Sequence, residues 1–365
     1  MDKLRSSNQI KSIDCDVHPV VNNGLEPLYK YMTQSWKQKF KMSGLVPHSN
    51  RHVNPRGSVT RKDITLDGST AGSDPILTKD YLDEFNVESA VLIAMQPSQL
   101  SVVWTDADMV NAVASAYNDY FIENWLSADK RYHLTINVNP QDPQLAVKEI
   151  KRLSKVSGVV GINLPLINIM LGDRYYYPIY KAAIEENLPI VTHITGAEGT
   201  YLGSASLAGG LTKYYVERYI TYPQIAYSNI VNLIFEGVFE KFPDLKVIFA
   251  EYGFSGLGPL MTRMDQSWRN LRIETPWVKK RPSEYIKENI FFTTQPIDEM
   301  QQDHFDQMIE MIDGKNNLLF SSDYPHWDND MPDETFHRLF KDDDVRKCIL
   351  RDNALRIFNE RLRND

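Results

Sequence analysis

The chain has 365 residues, 42% of them hydrophobic, which is enough for one large core; α/β barrels routinely run beyond ~200 residues as a single domain. Forty Lys plus Arg stand against 48 Asp plus Glu, and the formal charge of −8 is not gathered in a tail, so it favours solubility and argues against a nucleic-acid partner. The N-terminal MDKLRSSNQIKSID has no apolar signal stretch, and no window approaches the ~20 apolar residues of a bilayer span, so a cytoplasmic protein with no membrane partner is expected.

Eight short apolar runs follow one another along the chain: Ile13 to Val17, Ala90 to Met95, His133 to Val138, Gly158 to Leu164, Pro189 to His193, Lys246 to Ala250, Ile290 to Thr293 and Leu318 to Ser321. Between them, Asp106 to Leu126, Pro143 to Lys155, Tyr177 to Glu186, Pro223 to Phe239, Pro259 to Leu271 and Asp303 to Asp313 carry apolar residues at helical spacing. Strand and helix alternate as in βα units around a parallel sheet, and eight is the number that closes a (β/α)₈ TIM barrel. One barrel domain over residues 1–365 is therefore expected, with long inserted loops at about 19–80 and 194–222. The tail Val345 to Leu362 reads as a helix or helix pair covering the barrel, and Cys15 and Cys348 read as free thiols.

Chemistry-bearing residues fall at the carboxyl ends of these runs. In Asp14-Cys15-Asp16-Val17-His18, side chains two apart on a strand share a side, so Asp16 and His18 can meet one ion. His193 closes the fifth run and Asp323 follows the eighth, and the strand ends of a barrel share one face. Two carboxylates and two imidazoles make a four-ligand set for a divalent metal, with water or substrate completing the sphere. Zinc is the expected ion and manganese the alternative. Asp14 is placed to orient a ligand, and His326 and Asp328 lie in the loop beyond Asp323.

Asp16-Val17-His18, His193, Phe242-Pro243-Asp244-Leu245-Lys246, Gly258-Pro259-Leu260 with Arg263 and Asp265, and Ser322-Asp323-Tyr324-Pro325-His326 together resemble the amidohydrolase-related family that includes aminocarboxymuconate semialdehyde decarboxylase. Tyr177-Pro178-Ile179-Tyr180 and Asn353-Ala354-Leu355-Arg356-Ile357-Phe358 extend the resemblance from Ile13 to Phe358. It implies a metal-dependent barrel that hydrolyses amides, esters or lactones or removes carboxyl groups, with Asp16, His18, His193 and Asp323 at the metal. Binuclear relatives use a carboxylated lysine on the fourth strand, and Gly161-Ile162-Asn163-Leu164 offers none, which favours a single ion. Relatives commonly place a histidine after the sixth strand, where this chain has Glu251.

The favoured reading is a hydrolase of a C–N or C–O bond in a small cyclic or aromatic compound, with non-oxidative decarboxylation as the alternative. Asp323 is the expected proton carrier, and Glu251 and His326 are further catalytic candidates. Trp104, Tyr201, Tyr252, Phe254, Tyr324 and Trp327 are candidates for an aromatic substrate pocket. By analogy with such barrels, a homodimer is expected.

Overall fold

A computed structural model of the chain describes residues 10–43, 72–198, 205–206, 210, 212–332 and 334–362. Eight parallel strands form one sheet in sequence order: β1 Ser12–Val17, β2 Val87–Leu92, β3 Tyr132–Asn137, β4 Val159–Asn163, β5 Ile190–His193, β6 Val247–Ala250, β7 Ile290–Thr293 and β8 Leu318–Leu319. β8 is only two residues long, so the barrel closes through the chain beyond it. There the Cys15 amide donates to the Phe320 carbonyl at 2.9 Å, Asp323 N donates to Asp16 O at 3.1 Å, and His18 N donates to Tyr324 O at 2.8 Å. This seam joins the first and last metal-ligand candidates by backbone alone.

Helices cover the outside, and several start where the sequence supplies a cap. Asp142 accepts from Gln144 N and Leu145 N ahead of helix Pro143–Leu153, and Asp106 accepts from Met109 N ahead of Ala107–Phe121. The expected helix from Pro223 to Phe239 is interrupted: Gly237 takes φ 74°, ending Pro223–Phe235 and starting a separate turn, Val238–Lys241. Met95, expected to end a strand, instead opens helix Met95–Val103. The stretch expected as loop at 19–80 holds helices Gln34–Ser43 and Pro75–Glu84 among its described residues, while most of Pro47–Gly72 lies outside them. Gly72 itself packs on the metal motif, where a Cβ would stand 2.5 Å from the His18 carbonyl oxygen.

The tail contributes Ala354, Ile357, Phe358 and Leu362 to a cluster with Ile13, Val91, Val160, Val191, Ile248, Phe291 and Leu319. Arg361 donates to the Val159 carbonyl at 3.0 Å, at the start of β4, and to the Glu186 carbonyl at 2.8 Å, ahead of β5, while Asn353 Nδ2 donates to the Leu318 carbonyl at 2.8 Å, at the start of β8. The tail therefore packs at the end of the barrel away from the strand carboxyl termini. Cys15 is buried, Cys348 is half-buried, and both are free. No helix among the described residues is long and apolar enough to cross a membrane.

His133 on β3 is 3% exposed, and neither ring nitrogen finds a partner among the described residues. Burial depresses its pKa to about 4. The unfolded chain therefore takes up this proton first as pH falls below about 6.5, so the contribution to stability is complete above that pH and is lost on approach to pH 4. Between those values the native state should lose about 3 kcal/mol through this group. Denaturant unfolding of wild type and His133→Phe from pH 7 to 4 should show the wild type falling more steeply by that amount; parallel curves would refute it.

Candidate metal centre

Each site residue sits where its strand ends. His18 follows β1 and presents Nδ1 2.8 Å from the Ile93 carbonyl; His193 ends β5 and presents Nδ1 2.6 Å from the Ile194 carbonyl. A carbonyl only accepts, so Nδ1 carries hydrogen in both rings. Each Nε2 is thereby turned inward, where the neutral ring offers its lone pair. Glu251 after β6 and Asp323 after β8 both adopt left-handed backbone, at φ 60° and 61°. Residues other than glycine seldom accept that conformation, and such strain is concentrated at functional sites. Here it brings both carboxylates over the barrel mouth.

The side chains converge. His18 Nε2 lies 3.1 Å from Asp16 Oδ1 and 2.8 Å from Asp323 Oδ1, and His193 Nε2 lies 3.1 Å from both Asp16 Oδ2 and Glu251 Oε2. One ligand atom from each of Asp16, His18, His193 and Asp323 falls within 4.8 Å of the others, and all four residues are buried. A second quartet, His18, Glu251, Asp323 and His326, meets the same limit and shares His18 and Asp323 with the first. Buried polar atoms are normally paired, yet Asp16 Oδ1, His18 Nε2 and Asp323 Oδ2 make no hydrogen bond among the described residues. Unpaired acceptors and an imidazole nitrogen brought together in one buried place fit a divalent cation, which would satisfy them together. Asn163 ends β4, where its amide donates to Asn137 Oδ1 at 2.9 Å and Ser98 Oγ at 3.0 Å, and no lysine stands there.

The electrostatics show how much positive charge this cluster wants. Burial opposes a charge on His193, but Asp16 and Glu251 outweigh it and raise its pKa well above the ordinary value. Burial pushes Glu251 up, and Asp323 adds to the effect, to about 8. Asp323 is also disfavoured by burial, yet His326 and His18 hold it well below the usual carboxylate range. His326 donates from Nδ1 to Asp323 Oδ1 at 2.7 Å; burial works against its charge, but Asp323 lifts it to about 9. The Asp323 carboxylate thus favours a protonated His326, which holds its Nδ1–H one hydrogen bond from the metal-ligand candidates.

Around this lies support that sequence reading reached only in part. Asp14 is fully buried and accepts from Ser322 N at 3.0 Å, Ser322 Oγ at 2.6 Å and Tyr81 Oη at 2.6 Å, fixing the backbone just before Asp323. Burial raises its pKa to about 6. The Tyr324 ring stacks on Tyr81 at 4.3 Å, Tyr252 packs on Phe249 at 5.8 Å, Phe254 is fully buried, and Trp104 stacks on Phe40 at 6.1 Å. Trp327, next to His326, is half exposed. Tyr201 lies outside the described residues. Sequence reading missed helix Tyr215–Thr221 and the buried ion pair of Arg218 with Glu198, both within the segment read as loop. The signal available was the spacing of Tyr215, Arg218, Tyr219 and Tyr222 by three and four residues.

The amidohydrolase family model matches residues 13–359. A curated relative, the gamma-resorcylate decarboxylase of Polaromonas sp. (strain JS666 / ATCC BAA-500), is 25% identical over 291 residues, covering 76% of this chain and 85% of that protein. Among solved structures, amidohydrolase map2389c from Mycobacterium avium subsp. paratuberculosis K-10 superposes with TM-score 0.71 at 20% identity, covering 96% of this chain and 98% of its own. The dihydroxybenzoic acid decarboxylase of Polaromonas sp. JS666, with bound manganese and the inhibitor 2-nitroresorcinol, gives TM-score 0.65 at 19% identity over 96% and 98%. These likenesses establish the TIM barrel fold. The sequence relative is a carboxy-lyase, which overturns the expectation of a hydrolase acting on C–N or C–O bonds. The physical reason for the miss is that a strand-end cluster of two carboxylates and two imidazoles serves either reaction, since both need a cation beside a proton carrier.

Proposed function

Because the chain belongs to the amidohydrolase family, whose model spans nearly all of it, we propose that it is a metal-dependent carboxy-lyase that removes a carboxyl group from a hydroxylated aromatic acid without oxidation. The observation that carries this reading is the Asp323–His326 ion pair beside the four-residue ligand cluster. In decarboxylation the carrier must start loaded, because its proton goes to carbon, whereas in hydrolysis it starts empty, takes a proton from water and then returns it to the leaving group. A proton already held at the site suits the first. The name of the gamma-resorcylate relative supports the same choice.

Asp16, His18, His193 and Asp323 would hold one divalent ion. We take manganese as that ion, after the ion bound in the dihydroxybenzoic acid decarboxylase, in preference to zinc. When bound, the ion supplies a Lewis acid that fixes substrate oxygens and offsets their charge. The bond from ring to carboxyl carbon breaks, its electron pair stays on the ring carbon, and carbon dioxide leaves. Asp323 passes the proton from His326 Nδ1 to that carbon, so the balance is aromatic carboxylate plus one proton to arene plus carbon dioxide. Glu251, where the resemblance leads one to expect a histidine, stands 3.1 Å from His193 Nε2 and keeps a carboxyl group beside His18, Asp323 and His326. Among the described members of the aromatic set Trp327 is the most exposed, which suits it to meet the substrate ring.

The test is carbon dioxide release from 2,6-dihydroxybenzoate by the full chain, loaded with manganese or stripped by chelation. Loaded protein should release it, stripped protein should not, and manganese should restore the activity. Loaded protein that leaves every hydroxybenzoate intact and opens an amide or lactone would overturn the reading.

A further inference from the structure

Asn163, at the end of β4, has hydrogen-bond partners for only half of its amide. Its Nδ2 donates to Asn137 Oδ1 at 2.9 Å and to Ser98 Oγ at 3.0 Å, whereas its Oδ1 is buried with no partner among the described residues. Ile162 and Leu164 belong to the core shared with the helices, and Val191, which pairs with Asn163 on β5, belongs to the cluster inside the barrel. Paired neighbours in a sheet point to the same side, so the Asn163 side chain points into the barrel. Its surroundings lead to both imidazoles of the ligand cluster. The Ala94 carbonyl, 3.5 Å from its Nδ2, follows the Ile93 carbonyl that holds His18, and Val191 lies two residues before His193.

Which way this amide faces follows from its neighbours, because amide oxygen and nitrogen are told apart by what they meet. Asn118, fully buried on helix Ala107–Phe121, is registered on the backbone of Asn137: its Oδ1 accepts from Asn137 N at 2.8 Å and its Nδ2 donates to Asn137 O at 2.9 Å. The same Nδ2 donates to Glu149 Oε1 at 2.8 Å, and Arg152 grips both oxygens of Glu149, at 2.7 and 2.8 Å. A backbone N–H only donates and a carboxylate only accepts, so Asn118 cannot turn over. Its Oδ1 also takes Asn137 Nδ2 at 3.2 Å, which aims Asn137 Oδ1 at Asn163. Asn163 then has one orientation, nitrogen toward Asn137 and oxygen free. A helix residue outside the barrel thus decides that β4 ends in an acceptor.

We propose that Asn118 is a positioning residue for substrate choice: by holding Asn163 Oδ1 as an acceptor inside the barrel, it selects acids whose ring oxygen carries a hydrogen over those whose ring oxygen is an ether. The inference rests on the carboxy-lyase reading of a hydroxylated aromatic acid. A buried acceptor left unpaired is costly, and a site built to bond a substrate hydroxyl rejects an analogue that lacks the hydrogen. With the amide inverted, the same position would offer N–H and take a hydroxyl or an ether alike. The polarity of one amide, set from the helix layer, therefore decides between the two.

Two probes differ in that hydrogen: 2,6-dihydroxybenzoate and 2-hydroxy-6-methoxybenzoate. Their Kd values are measured by calorimetry on the manganese-loaded full chain, with carbon dioxide release followed in parallel, and the ratio is compared between variants so that the bulk of the methyl group cancels. Wild type should bind the dihydroxy acid about 5- to 100-fold more tightly, the span for leaving a buried acceptor unpaired. Asn118→Leu keeps the volume but frees both amides to turn, so most of that factor should be lost. Asn118→Asp keeps an oxygen for Asn137 and shares a proton with Glu149, so it should retain the wild-type ratio although it is the costlier change to the fold. A merely structural role would order these two variants the other way. Asn163→Ala removes the acceptor itself and should lower the ratio even if the leucine variant does not fold. A wild-type chain without preference, a ratio unchanged in Asn118→Leu or Asn163→Ala, or equal weakening of both acids would overturn the proposal, the last by assigning the acceptor to a water. Preference for the dihydroxy acid without carbon dioxide from either acid would instead overturn the carboxy-lyase reading and leave Asn118 in place.

Discussion

Asp323→Asn is expected to lower turnover by roughly 100- to 10,000-fold, the range for a positioned proton carrier, when compared at measured full metal occupancy. The side chain contacts both halves of the site, at 2.8 Å from His18 Nε2 and 2.7 Å from His326 Nδ1. Asparagine keeps the size and one oxygen that can face a cation, so folding and substrate binding should survive. What it lacks is a carboxylate able to take the His326 proton and pass it on. Its amide also cannot neutralise the imidazolium, so the proton stored at His326 is lost with the partner that raises its affinity. Stopped assays on the loaded variant, with mass spectrometry to exclude deamidation back to aspartate, read the effect. Near-wild-type turnover at full occupancy would remove Asp323 as the proton carrier and move attention to Glu251.

His193→Ala is expected to empty the metal site. Its Nε2 is the nitrogen donor shared between Asp16 and Glu251, and its Nδ1–H is fixed by the Ile194 carbonyl, so no neighbouring group can take over its geometry. Removing an outer-shell partner typically costs about 10- to 100-fold in metal affinity, and removing the donor itself should cost more. Metal content by elemental analysis and carbon dioxide release should fall together. His18→Ala should behave alike, because its Nε2 lies against both Asp16 and Asp323. Full occupancy with normal turnover in either purified variant would exclude that residue as a ligand.

The barrel was legible because each strand is a short apolar run buried on both faces, a pattern that needs no tertiary information. The parts that were not legible depend on contacts. Gln34–Ser43 and Pro75–Glu84 flank a stretch of loop composition, which masked them. Helix Tyr215–Thr221 is too short for its periodicity to stand out beside a glycine-rich segment, and its Arg218 acquires meaning only when Glu198 folds back on Thr195. At the metal centre the residue types and strand ends sufficed to single out Asp16, His18, His193 and Asp323 as candidates, and the structure brings one ligand atom of each within 4.8 Å of the others. The left-handed backbone at Glu251 and Asp323 has no sequence signal, since neither residue type demands it. Nor does a ligand list say whether the proton ends on carbon or on a leaving nitrogen or oxygen, which separates a carboxy-lyase from a hydrolase.

Proton delivery to carbon is the central claim, and reaction in deuterium oxide tests it most directly. Manganese-loaded protein is incubated with 2,6-dihydroxybenzoate, carbon dioxide is quantified, and the aromatic product is read by mass spectrometry and proton NMR. The account predicts resorcinol in equal amount to carbon dioxide, with one deuterium at the carbon that lost its carboxyl group. Unchanged 2,6-dihydroxybenzoate, no carbon dioxide from any other hydroxybenzoate, and cleavage of an amide or lactone by the same loaded protein would contradict it.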